Sequence, residues 1–134
     1  MTPIERLYYA LGELAYAIAK ADGKIQREEK EKLHGILEAE FRAHQLNFDV
    51  SEIIFSILGK DGTDSKTAYA NAMRELKLNS QYVSEQLKLH FIGVIKKVAE
   101  AFPPVTKDER GIIDDFIYEV KSIKGDPVFS KETE

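Results

Sequence analysis

Apolar residues recur along most of the chain at three- and four-residue steps, and the pattern is broken by Gly, Pro and Asp clusters rather than by strict alternation. Ile4, Leu7, Leu11, Leu14, Ala15 and Ile18 make the first such run, one face of a helix that continues to about Ala21. Thr2-Pro3-Ile4-Glu5 opens it as a capping box. The Thr hydroxyl accepts a free amide of the first turn, Glu5 reaches back, and Pro3 loses no bond at the first helical position. Asp22-Gly23 stops the run, because Gly tolerates the left-handed backbone that ends helices. From about Arg27 a second helix runs to His44, with Leu33, Ile36, Leu37 and Phe41 inward and its charges mostly on the wet side.

Asp49-x-x-Glu52 predicts a short third helix ending near Leu58, and Gly59 to Asp64 is a turn-rich break before a fourth from about Ser65 to Lys77. The longest predicted helix, about Gln81 to Ala101, carries Val83, Leu87, Phe91, Val94, Ile95 and Val98 on one stripe and must end at Pro103-Pro104. Thr106-x-x-Glu109 is a second capping box. It starts a last helix bearing Ile112, Ile113, Phe116, Ile117 and Val120, closed by Gly125-Asp126-Pro127. With no segment patterned as a strand, the expected fold is all-α: a single-domain helical bundle over 1–124, followed by a flexible tail over 125–134.

Shifting the chain by 80 residues lays 11–37 on 91–117 without a gap. Leu11/Phe91, Leu14/Val94, Ile18/Val98, Ala21/Ala101, Ile25/Val105, Glu29/Glu109, Leu33/Ile113, Ile36/Phe116 and Leu37/Ile117 agree in class. The 3.6-residue period alone generates part of this agreement. The turn of equal length is what favours two pseudo-repeated helix–turn–helix units.

Composition narrows the function classes. The 134 residues carry 19 Lys+Arg against 23 Asp+Glu, a net charge of −4 that removes the electrostatic case for a nucleic-acid binder. Cysteine is absent, which excludes disulfides, thiolate nucleophiles and Cys-ligated metals and suits a reducing compartment. No apolar run reaches the ~18–20 residues of a membrane span, and the first residues lack a signal layout, so a cytoplasmic location is expected. No Gly-rich phosphate loop or nucleophile elbow occurs, and the three His share no ligand spacing, so neither catalysis nor a small-molecule substrate is expected.

The stretch Asp22-Gly-Lys-Ile-Gln-Arg-Glu-Glu29 matches the second half of a calcium loop, but Ile18 and Lys20 would fill the first and third ligand positions. Ile offers no oxygen and Lys repels a cation, which excludes a standard EF-hand. Asp22 can equally be a helix-ending turn residue, and Glu29 and Glu109 can simply complete helix caps. Asp61 to Asp64 reads the same two ways, as an acidic cup or as turn and cap chemistry. Charge is unevenly placed: 65–97 carries a local +4 and 108–119 a local −4, either a docking dipole or two neighbours that neutralise one another. Tyr8, Tyr9 and Tyr16 cannot share one apolar stripe, so at least one ring is expected to face solvent or a partner.

Ala19-Lys20-Ala21-Asp22-Gly23-Lys24-Ile25, then Glu28-Glu29, then Leu33, Ile36 and Leu37 resemble the TerB-like family, the tellurite-resistance-associated helical domains also found in DjlA-type membrane co-chaperones. The resemblance is sharp over 11–37 and elsewhere covers only the two-unit helical layout. It implies an all-helical fold of two pseudo-repeats without enzymatic activity, and a divalent cation such as Ca²⁺ held by clustered carboxylates, here Asp22, Glu29 and Glu109. The second unit has Phe102-Pro103-Pro104 where the pattern has Asp-Gly, so weak binding is expected. The implied role is an interaction domain in a stress-response or envelope-associated setting, with a protein partner or a second copy. A metal-free oligomerising module and a carboxylate-based hydrolase are the alternatives.

Overall fold

A computed structural model describes residues 2–21, 23, 25, 27–43, 58–101, 104–126 and 128. The described chain is helical throughout its regular structure: α1 (Pro3–Lys20), α2 (Arg27–Ala43), α3 (Ser65–Leu78), α4 (Glu85–Glu100) and α5 (Lys107–Ser122). A single 3₁₀ turn, Ser80–Tyr82, lies between α3 and α4. The all-α bundle expected from the periodicity is therefore the observed architecture. The predicted helix over 49–58 lies outside the described residues, apart from helical residues 58–60.

Helix α1 is the centre. It packs most extensively along α3 and also meets α4, α5 and α2. Its residues from Leu7 to Ala19 are buried, Tyr9 alone being partly so. A helix surrounded in this way loses its wet face, which is why Tyr8 and Tyr16 are both inside although they point in different directions. Tyr8 forms the junction of three helices, with ring centroids 5.9 Å from Phe41 of α2 and 5.2 Å from Phe91 of α4, both edge-on. The Tyr16 hydroxyl reaches the carbonyls of Leu58 and Thr63, tying α1 to the turn that feeds α3.

The caps form where the sequence places them. Thr2 Oγ1 accepts the Glu5 amide at 3.1 Å while Glu5 Oε1 accepts the Thr2 amide at 2.8 Å. Asp64 accepts the Thr67 amide at 2.7 Å, so the acidic turn at 61–64 places one of its two carboxylates on a helix cap. Two ends differ from expectation. The helix predicted from Gln81 begins at Glu85, because Val83 is buried in extended conformation and Ser84 Oγ caps the Leu87 amide at 3.0 Å. Helix α5 ends at Ser122 rather than near Gly125, because Ile123 turns inward and is buried. Beyond it the Asp126 amide donates to the Gln81 carbonyl at 3.1 Å, so the packed chain extends at least that far.

Helix limits recur at the 80-residue offset. α1 ends at Lys20 and α4 at Glu100, while α2 begins at Arg27 and α5 at Lys107. Ala21 and Ala101 both close their helices in right-handed helical conformation. Ile25 and Val105, in the two turns, are both partly buried against the core. The correspondence slips later: Leu37 and Phe116 are the buried residues, whereas Ile36 and Ile117 are partly exposed.

Candidate functional site

Glu29 and Glu109 each stand in the first turn of the second helix of a hairpin. Between α1 and α2, the Gly23 amide donates to the Lys20 carbonyl at 2.9 Å, and Gly23 has φ +116°, a backbone that L side chains rarely adopt. Its partner in the motif, Asp22, lies outside the described residues. Glu29 is the third residue of α2, partly buried, and its charge favours the helix N-terminus. Glu109 is the third residue of α5, only 5% exposed. Its Oε1 accepts from the Thr106 amide at 3.3 Å and lies 3.0 Å from the Thr106 hydroxyl, which in turn accepts the Glu109 amide at 3.1 Å. Glu109 therefore completes a capping box. Among the described residues no three His, Asp or Glu side chains converge as a metal-binding group.

Lys32 Nζ of α2 lies 3.4 Å from the Ala101 carbonyl at the end of α4. Ala21, at the end of α1, borders a depression of about 530 Å³ together with Ile112 of α5, the residue 80 positions after Lys32. Asp108 and Asp115 of α5 and Lys66 of α3 also line this depression. On its far side stands Tyr69, whose hydroxyl donates to Glu119 Oε1 at 2.8 Å. Burial of the ring first, and then this bond to Glu119, push the Tyr69 phenol well above its ordinary range. A second depression of about 530 Å³ lies beyond Tyr69, floored by Met73 and Ala70 and flanked by Arg74 and Lys77.

Part of the opposed charge of 65–97 and 108–119 meets across this groove: Lys66, Arg74 and Lys77 on one side, Asp108, Asp115 and Glu119 on the other. One ion pair joins the sides, Lys77 Nζ to Glu119 Oε2 at 3.4 Å. Lys88 and Lys97 of α4 pair instead with Glu85 and Glu40.

Two charged clusters escape reading from sequence. Glu13, inside α1, is 5% exposed. Burial first, and then the nearby Glu75 carboxylate, push its carboxyl up to about 7, with Arg74 opposing them. The sequence signal was a lone acid within an otherwise apolar stretch, Leu11 to Ala19 apart from Gly12 and Tyr16. The second cluster joins α2 to α4: Glu40 lies 3.2 Å from His90 Nε2 and 3.5 Å from Lys97 Nζ. Burial, and secondarily Glu40, raise the Tyr8 phenol beside it. No local spacing predicts such a contact.

Comparison with family models, with curated proteins and with solved structures found no match.

Proposed function

We propose that this chain is a non-catalytic, TerB-like helical interaction domain that works in the cytoplasm in a stress-response or envelope-associated setting. The observation that carries the reading is the 80-residue recurrence of helix limits, Lys20 with Glu100 and Arg27 with Lys107. Two helix–turn–helix units of equal turn length are what the resemblance at Asp22-Gly23 implies. The matching right-handed caps at Ala21 and Ala101 and the partial burial of Ile25 and Val105 in the two turns support a pseudo-twofold between them.

The divalent-cation part of the reading rests mainly on Asp22 and Glu29, since Glu109 Oε1 already serves Thr106. A hard cation such as Ca²⁺ takes six to eight oxygens, so two or three carboxylates and water give weak affinity. The test is thermal unfolding of wild type, Asp22→Asn and Glu29→Gln with Ca²⁺, Mg²⁺ and Zn²⁺. A bound cation stabilises by mass action on the folded state alone. Wild type is expected to gain a shift that both variants lose. No cation-dependent shift in wild type removes the cation from the function and leaves the interaction domain. Turnover abolished by Glu29→Gln would instead favour the hydrolase alternative.

A further inference from the structure

The groove between α3 and α5 has a chemistry that goes beyond an unspecified interaction surface. Both helices rest on α1, and they reach each other through Glu119, which takes the Tyr69 hydroxyl and the Lys77 ammonium. Along α3 the groove presents Lys66, Arg74 and Lys77, all basic. Along α5 it presents Asp108, Asp115 and Glu119, all acidic, with Lys107 as the single base at one end. Lys66 and Asp115 form no ion pair with any other described residue. Two fixed walls of opposite sign, with an apolar floor between them, select a ligand that is itself polarised across its width.

The floor adds a length. The depressions on either side of Tyr69 are lined along α3 from Ser65 to Leu78, and their α3 linings centre about two helical turns apart, ~10 Å. Two apolar side chains about two helical turns apart, at i and i+7, reach both depressions from one helix laid along the groove. Leu78, 67% exposed, continues the apolar surface at the far end.

The geometry points to the α3–α5 groove as the docking site for an amphipathic helix of a partner protein, with apolar anchors at i and i+7, acids on the flank facing α3 and bases on the flank facing α5. This inference rests on the interaction reading above and supplies its partner chemistry. The Tyr69–Glu119 bridge then acts as the saddle over which the partner helix lies, between its two anchors.

Two labelled 18-residue helical peptides of one composition test it. Both carry Leu at i and i+7; one segregates Glu and Lys onto opposite flanks, and the other mixes them on both. Fluorescence anisotropy with the full chain is expected to show the segregated peptide binding at least tenfold more tightly, with a preference that weakens as salt rises. Ala70→Trp, which fills one depression from an exposed position, and Lys66→Glu, which reverses the sign of the α3 wall at its depression, are each expected to weaken binding severalfold without lowering the melting temperature. Amide chemical-shift changes should map to Tyr69, Met73 and Gly111. Absence of saturable binding, equal binding of the two peptides, or indifference to both substitutions overturns the proposal. Light scattering on the same samples separates the two readings, because a concentration-dependent dimer alongside failed peptide binding removes the groove and leaves an interaction domain.

Discussion

The Tyr16 hydroxyl, on the central helix, donates to the Thr63 carbonyl at 2.8 Å, and the Leu58 carbonyl lies 3.3 Å from the same oxygen. Tyr16 is 1% exposed, so this single polar tip of a buried ring sets where the turn before α3 sits. Tyr16→Phe keeps the ring and removes the donor. The Leu58 carbonyl keeps the Thr63 amide at 3.0 Å, so the loss is that of the part-buried bond to the Thr63 carbonyl, about 0.5–1.5 kcal/mol. The melting temperature should fall by several degrees with unchanged helix content by circular dichroism, and an unchanged melting temperature would refute this role.

Glu13 predicts an unusual pH trend. Its carboxyl is neutral in both states at low pH; the unfolded chain ionises near 4.5 and the folded protein only near 7. As pH rises through that window the unfolded state sheds its proton first, so this group's contribution to stability declines and stays low above 7. Each unit of separation corresponds to ~1.4 kcal/mol, for a penalty of order 3 kcal/mol at most. Glu13→Gln, neutral at every pH, should therefore stabilise the protein more at pH 8 than at pH 5. The groups facing it are Glu75 and Arg74 of α3, so the same melts on Glu75→Gln should show a smaller change of the same sign. Equal effects of Glu13→Gln at the two pH values would contradict the account.

The Thr106–Glu109 box separates a cap from a ligand. Thr106→Ala and Glu109→Ala should each cost about 0.5–2 kcal/mol, with or without divalent cation, while Glu109→Gln keeps an oxygen acceptor and most of the stability. Denaturant melts in chelator and in Ca²⁺ decide it, and a loss seen only in Ca²⁺ would make Glu109 a ligand instead.

What could be read from the sequence was local. Thr2, Asp64 and Thr106 cap their helices because the acceptor oxygen and the amide it serves are three residues apart, a distance set by the chain itself. The inward faces of α1, α2 and α5 followed from periodicity for the same reason. Val83 obeys that periodicity too, yet it is extended, because burial of its side chain satisfies the core without a helix. Glu13 was hidden by the assumption that a helix has one wet face, which fails for a helix packed on by α2, α3, α4 and α5. Contacts such as Tyr69 with Glu119 and Lys97 with Glu40 join residues 50 and 57 positions apart and depend on how helices pack.

The helices before the two turns end at Lys20 and Glu100, and the proposed function makes those turns equivalent parts of one domain that responds to a divalent cation. Restoring the missing acidic turn tests it most directly, with Phe102→Asp and Pro103→Gly in the full chain, melted with and without Ca²⁺ beside wild type and Glu29→Gln. A cation at tenfold its dissociation constant stabilises the folded state by ~1.4 kcal/mol, a shift of a few degrees for a chain of this size. The account predicts a small Ca²⁺ shift in wild type, none in Glu29→Gln and a larger one in the restored turn. A restored-turn protein that folds cooperatively and shows no Ca²⁺ shift beyond wild type would contradict it.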